Sequence, residues 1–361
     1  MMDPGKKNSI DERRIEASDS IVAAMRRMDA IDRKLLLVFD GDRFAGLISI
    51  GDIQRAIIAD KPLHTALRDV MRSQVTMASI TDGFDQIRQL MIRYRAECMP
   101  VLDGDGNLAD VVFWEDIYPV GQAPARRSLD LPVVIMAGGK GLRMRPFTSV
   151  LPKPLLPVGD RTIIEHIMAG FSELGCNRFH ISVNYKAGLI RYYLGTLDEG
   201  SFEIEYFQEE KPLGTAGSLY LLKDRISTTF FVTNCDILVD EDYGAILDYH
   251  REQANELTLV AALKHLRIPY GTIESASGGQ LTALHEKPEL TFRVNTGLYI
   301  LEPHLLGEIE PDVFLNITDL IEKVKQRGGR VGVFPVSEKS WVDVGEWDQY
   351  ILMSRRGMGS I

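Results

Sequence analysis

The residues Gly138-Gly139-Lys140-Gly141-Leu142-Arg143-Met144-Arg145 follow directly on the apolar run Val133–Ala137. Glycines let backbone N–H groups approach and wrap a polyphosphate, and Lys and Arg neutralise its charge. A tight strand-to-helix turn without a ligand would not call for three basic residues. A short way on, Lys153 stands between Pro152 and Pro154. The prolines restrict the backbone on both sides, so one cation is aimed with less conformational freedom to lose. Two better-known phosphate loops do not fit. No Lys-Ser/Thr pair closes the loop as a Walker A motif requires, and Met144 stands where a dinucleotide fingerprint needs its last glycine.

Such a loop needs a buried strand before it and a sheet around it. Strand patterns are expected at Pro132–Met136, Arg178–Val183, Phe202–Phe207, Thr229–Thr233, Leu257–Leu263 and Arg293–Leu301. Helical patterns are expected at Ile163–Leu174, Gly188–Leu194, Gly217–Leu222, Tyr243–Ala254 and Ile317–Lys325. Their alternation implies an α/β fold with a mostly parallel, Rossmann-like sheet flanked by helices. In such sheets the ligand sits at the carboxyl ends of the strands.

The loop and Lys153 together resemble the signature of the sugar-1-phosphate nucleotidylyltransferases, G-G-x-G-x-R-x-x-P-x-T followed by P-K-P. The resemblance continues in order through Gly214-Thr215-Ala216-Gly217, Asn234-Cys235-Asp236, Glu286-Lys287-Pro288, Asn295-Thr296-Gly297-Leu298-Tyr299 and Trp341-Val342-Asp343-Val344-Gly345. It implies synthesis of an NDP-sugar and pyrophosphate from an NTP and a sugar 1-phosphate. Arg143 and Lys153 would be catalytic, on the leaving pyrophosphate and between the two reacting phosphates. Ala137, Gly138, Gly139, Lys140, Gly141, Gly214, Thr215 and Ala216 would form the nucleotide pocket. Gly271, Glu286, Lys287 and Asn295 would hold the sugar phosphate, and Asp236 and Asp343 a Mg²⁺ ion. Two positions depart from the pattern. Leu142 replaces a Thr, which removes a hydroxyl near the phosphates. Cys235 replaces a Gly, which narrows the space beside the metal position. The Gly-Thr-Ala loop looks more like the guanylyl-transferring branches, such as glucosamine-1-phosphate and mannose-1-phosphate guanylyltransferases, so GTP is the expected nucleotide.

The first part of the chain repeats itself. Leu36–Asp40 is echoed by Met99–Asp103, and Gly46–Ile53 by Asp110–Ile117. A helical pattern precedes each copy. This resembles a tandem pair of cystathionine-β-synthase-type (CBS) domains, an α+β module that commonly binds adenine nucleotides. By that resemblance Ser49, Asp52 and Asp116 would be its ligand residues. The second copy keeps only Asp116, so a packing and dimerisation module without a ligand stands beside that reading. A homo-oligomer is expected. The expected division is a flexible tail over 1–14, the CBS pair over 15–122, a linker over 123–130 and the nucleotidyltransferase domain over 131–361.

Composition bounds the alternatives. The 361 residues carry 41 Lys plus Arg against 51 Asp plus Glu, net −10, which argues against a nucleic-acid binder held by bulk charge. Three scattered cysteines fit neither a disulfide framework nor a zinc cluster and favour a reducing, cytoplasmic setting. No apolar run suits a membrane span or a signal peptide. A second function class stays open: a nucleotide-sensing protein whose transferase half binds without catalysing.

Overall fold

The computed structural model describes residues 10–72, 75–94, 98–113, 128–197 and 202–356. The chain divides into two compact units, Met1–Ala125 and Arg126–Ile361. Among the described residues, no helix is long and apolar enough to cross a membrane.

The first unit contains the repeat as two three-stranded sheets. In the first, Arg14–Glu16 runs parallel to Leu35–Asp40, which pairs antiparallel with Arg43–Ser49. In the second, Ala78–Ser79 runs parallel to Cys98–Leu102, which pairs antiparallel with Leu108–Phe113. The two agree down to an irregularity. The register slips between Val38 and Phe39 in one sheet and between Val101 and Leu102 in the other, at matching places in the repeat. The copies share a core: Leu35, Leu37, Phe39 and Phe44 of the first pack with Cys98, Val111 and Phe113 of the second. Neither copy could bury its apolar face alone.

Ile10 joins that core and Arg13 is also buried, its guanidinium 4.1 Å from the centre of the Phe113 ring. The ordered unit therefore begins before residue 15, inside the expected tail, because Ile10 has an apolar partner surface. The expected linker also ends early. Leu129 is buried and its N–H donates to the Leu174 carbonyl at 2.8 Å, so 128–130 belong to the second unit; 123–127 lie outside the described residues.

Of the expected CBS ligand residues, Ser49 and Asp52 form the capping box of the helix Ile50–Ile58. Asp52 is also paired with Arg55 and Arg72, the latter at 2.6 Å. These bonds hold its carboxyl below the usual carboxylate range despite burial. Asp116 lies outside the described residues.

The second unit is built on a seven-stranded sheet. Its order is Glu203–Gln208, Arg178–Val183, Val133–Met136, Phe230–Asn234, Glu289–Leu301, Leu257–Arg267 and Val331–Ser337. All neighbours are parallel except where Glu289–Leu301 runs against both of its own. Strand alternation decides what covers each face. Phe230 and Val232 point to a cluster with Leu219, Leu222, Leu320 and Val324, from the turn Ser218–Leu222 and the helix Ile317–Gln326. Phe231 points the other way, its ring 5.3 Å from Phe171 and 5.8 Å from Tyr243, on the helices Ile163–Ser172 and Tyr243–Glu252. Helices thus cover both faces, and each fully buried Phe contributes about 1.5–3 kcal/mol.

Val133–Met136 and Phe230–Asn234 are adjacent and parallel at the centre of this sheet. Their neighbouring connections leave in opposite directions along the sheet, which makes a crevice at their carboxyl ends.

Candidate active site

The glycine-rich loop leaves Met136 at that crevice. Gly138 lies close to its neighbours there: a Cβ at this position would lie 2.7 Å from Glu209 Oε1 and 3.4 Å from the Asn184 side chain. Gly141 is required for two reasons. Its φ is +60°, and a Cβ would come within 2.9 Å of the Thr148 methyl and 3.2 Å of Lys153 Cβ. Thr148, itself buried, donates its hydroxyl to the Gly141 carbonyl at 2.8 Å. The loop is therefore closed on itself and laid directly against Lys153. Gly139 faces open space, and Lys140 and Leu142 are exposed. Beyond the loop, Tyr185 and Lys186 donate to the carbonyls of Thr148, Ser149 and Val150, holding the return limb that leads to Lys153.

Lys153 is buried and pairs with Asp236. Asp236 follows the central strand Phe230–Asn234. Asp343 is brought to it by a short antiparallel ladder in which Ile237 sits opposite Asp343 and Val239 opposite Trp341. The Val344 N–H donates to the Asp236 carbonyl at 2.9 Å, and the Gly345 N–H to Asp343 Oδ1 at 2.8 Å. Gly345 is where the three groups meet. A Cβ there would lie 2.7 Å from Asp343 Oδ1, 2.8 Å from Asp236 Oδ2 and on top of Lys153 Nζ. Burial pushes the Asp343 carboxyl above its usual range, and the neighbouring Asp236 charge adds to this. Two converging hard oxygen donors that repel each other suit a small divalent cation. Cys235, between Asn234 and Asp236, is buried, and burial pushes its thiol up to about 12; it is not among the residues that line the pocket with Asp236 and Asp343.

Arg143, Asn234, Asp236, Asn295, Tyr299, Trp341 and Asp343 line one pocket. Arg143 is paired there with Glu346. Asn295 donates to the Tyr299 hydroxyl at 2.8 Å, and the Trp341 indole N–H to the Thr296 carbonyl at 3.2 Å. Of the other expected sugar residues, Gly271 lies against Glu286, where a Cβ would be 3.1 Å from Glu286 Oε2. Glu286 and Lys287 are exposed at the end of the hairpin Thr272–Ser275 with Leu281–His285. They are not among the residues lining the pocket with Asp236 and Asp343.

The Gly214–Gly217 turn has a packing explanation. Cβ atoms at 214 and 217 would each meet a backbone oxygen, of Leu315 and Val313, at 2.5 Å. Thr215 Oγ1 accepts from the Ile317 N–H at 2.9 Å, at the start of the helix Ile317–Gln326. Two further residues were missed from the sequence. Glu209 has a carboxylate beside Gly138, accepts from the Leu213 N–H at 2.8 Å, and is pushed above the usual range by burial. Glu346 holds Arg143. Glu209 is one of two adjacent glutamates and Glu346 follows the Trp341–Gly345 motif, and neither has a pattern of its own to mark it.

Residues 132–357 match the nucleotidyl transferase family model, and residues 67–119 match the CBS domain model. The chain belongs to the nucleotidyl transferase family. Among curated relatives of this family, the chain is 32% identical over 187 residues to the mannose-1-phosphate guanylyltransferase catalytic subunit beta of Dictyostelium discoideum, covering 50% of this chain and 52% of that protein. It is 30% identical over 227 residues to the mannose-1-phosphate guanyltransferase of Emericella nidulans, covering 60% and 61%. The chain thus spans about half to two thirds of the curated relatives it matches. The crystal structure of HddC from Yersinia pseudotuberculosis shares the fold, with a TM-score of 0.50 at 22% identity over 62% of this chain and 98% of that one.

Proposed function

We propose that the chain is a sugar-1-phosphate guanylyltransferase, joining GTP to mannose 1-phosphate or glucosamine 1-phosphate. The names of the curated relatives favour mannose. The observation that carries this reading is the convergence of Lys153, Asp236 and Asp343 beside Gly345, with Arg143 on the same pocket. In the reaction an oxygen of the sugar phosphate attacks the α-phosphorus, the bond from that phosphorus to the bridging oxygen breaks, and pyrophosphate leaves. A phosphate monoester has a second pKa near about 6, so the nucleophile is largely ionised at neutral pH and needs no general base. The protein's task is to align two anions and offset their repulsion. Lys153, its backbone restricted by the flanking prolines, would bridge them. Arg143 would take the β- and γ-phosphates, with the loop N–H groups around them. Asp236 and Asp343 would hold Mg²⁺, which supplies positive charge against the phosphate oxygens.

Glu209 supports guanine. With Oε2 engaged by the Leu213 N–H, its Oε1 beside Gly138 would accept from the adjacent N1–H and N2–H donors of guanine, whereas uracil and thymine present one donor beside an acceptor. The few, buried cysteines support a cytoplasmic setting. The first unit would serve as a regulatory or dimerising module, its adenine-nucleotide reading resting on the CBS match.

The reading is tested by measuring Mg²⁺-dependent pyrophosphate release. Asp236→Asn and Lys153→Ala should each lower turnover by about 10²–10³-fold with GTP binding largely kept. Full activity in both would remove the assignment. Nucleotide binding without turnover in the unaltered protein would favour the sensing protein.

A further inference from the structure

Two cations of the site are held by carboxylates: Lys153 by Asp236 and Arg143 by Glu346. The two pairs differ in what can release them. A divalent cation on Asp236 and Asp343 would compete with Lys153 for Asp236. Glu346 has no such competitor, because its carboxylate faces Arg143 rather than the converging pair at Gly345. Counting Arg143, Lys153, Asp236, Asp343 and Glu346, the site carries two positive and three negative groups.

Glu346 is also fixed in place. Its N–H donates to the Asp343 carbonyl at 3.3 Å, and its own carbonyl accepts from the Tyr350 N–H at 2.9 Å. The next residue, Trp347, packs at 5.2 Å on Phe147, which follows the glycine-rich loop, and Tyr350 packs on both rings. The Tyr350 hydroxyl donates to the Pro157 carbonyl at 3.0 Å. The start of the helix Trp347–Arg356 is thereby tied to the chain on either side of Lys153, and it holds a carboxylate at the phosphate arginine.

Building on the transferase reading, we propose that Glu346 is a resident counter-charge for Arg143, displaced by the β- and γ-phosphates of the nucleotide and returning as pyrophosphate leaves. Only a ligand with phosphate at that position must expel it. Glu346 therefore weakens triphosphate and pyrophosphate binding together and leaves a nucleoside monophosphate untouched. It trades ground-state affinity for release of the product. It is a positioning residue, acting through Arg143.

The test is equilibrium binding of GTP, pyrophosphate and GMP to the full chain and to Glu346→Gln. The variant should bind GTP and pyrophosphate about two- to fivefold more tightly, the scale of an exposed ion pair, with GMP unchanged. In an Arg143→Ala background the Glu346→Gln effect should vanish. Unchanged or weakened GTP and pyrophosphate binding, or equal tightening of GMP, would overturn the proposal. Failure of the unaltered protein to bind any guanine nucleotide would instead remove the transferase reading on which it rests.

Discussion

A carboxylate and an ammonium gain little from each other in water, and much more where water is thinned out. Lys153 and Asp236 are nine-tenths and six-sevenths hidden, at 9% and 14% side-chain exposure, so their pairing is of the stronger kind. Arg143 and Glu346 are more than half exposed, and their pair is the kind a phosphate can displace. Glu209 makes a sharper claim at this scale. In Glu209→Gln one oxygen can still accept from Leu213, but the other becomes an NH₂ donor facing the guanine donors. GTP affinity should fall at least about tenfold, and the preference should move toward UTP or dTTP, whose edge offers an acceptor beside its donor. Competition binding with GTP, ATP, CTP, UTP and dTTP checks this; unaltered GTP preference would remove Glu209 from base selection. Arg143, Lys153 and Asp343 were legible because each sits in a motif marked by glycines or prolines, and Asp236 because Asn234-Cys235-Asp236 falls in order between such motifs. Glu209 and Glu346 were not, because only the fold reveals that they face the loop and its arginine.

At the scale of elements, the central strands and their covering helices could be read from apolar periodicity, and the structure places them within a few residues. The strand Val331–Ser337 could not. It carries Gly332 and Pro335, and it is tolerated because it lies at the sheet edge, where a missing N–H costs no ladder bond. The helix Trp347–Arg356 was not among the expected elements; it is held by the rings of Trp347 and Tyr350 in its first turn. The turn Gly214–Gly217 shows a different limit: its glycines answer to Val313 and Leu315, a contact that no local pattern encodes. Another such tie joins the edge of the sheet to its neighbours. Glu256 accepts from Arg327, His304 and the Arg330 N–H, and the Arg327 bonds above all hold its carboxyl down at about 2. A carboxylate with a depressed folded pKa stabilises the fold above its unfolded value of 4.5, and that contribution is lost as pH falls toward about 2. Urea unfolding at pH 3, 5 and 7 should show this acid-side loss, and Glu256→Gln should flatten it. An identical pH dependence in the variant would show that the tie adds nothing.

At the scale of the molecule, a two-copy module and a transferase unit share one chain. The repeat was legible because its spacing recurs, and the structure adds that even the register slips recur. The seam was legible too, since the division between Ala125 and Arg126 falls within the expected linker; its finer edges were not, because only packing assigns Ile10 and Leu129 to units. The site itself depends on the whole second unit, since Asp343 reaches Asp236 only through the ladder with Ile237–Val239. That convergence is the centre of the account, and phosphorus NMR of the reaction tests it most directly. GTP, Mg²⁺ and each of mannose, glucosamine, glucose and heptose 1-phosphates are incubated with the protein. The account predicts, for one of these sugars, equal amounts of pyrophosphate and a nucleotide-linked sugar diphosphate, with neither formed by Asp236→Asn at a comparable rate. GTP bound by the protein but left intact with every sugar phosphate would contradict it.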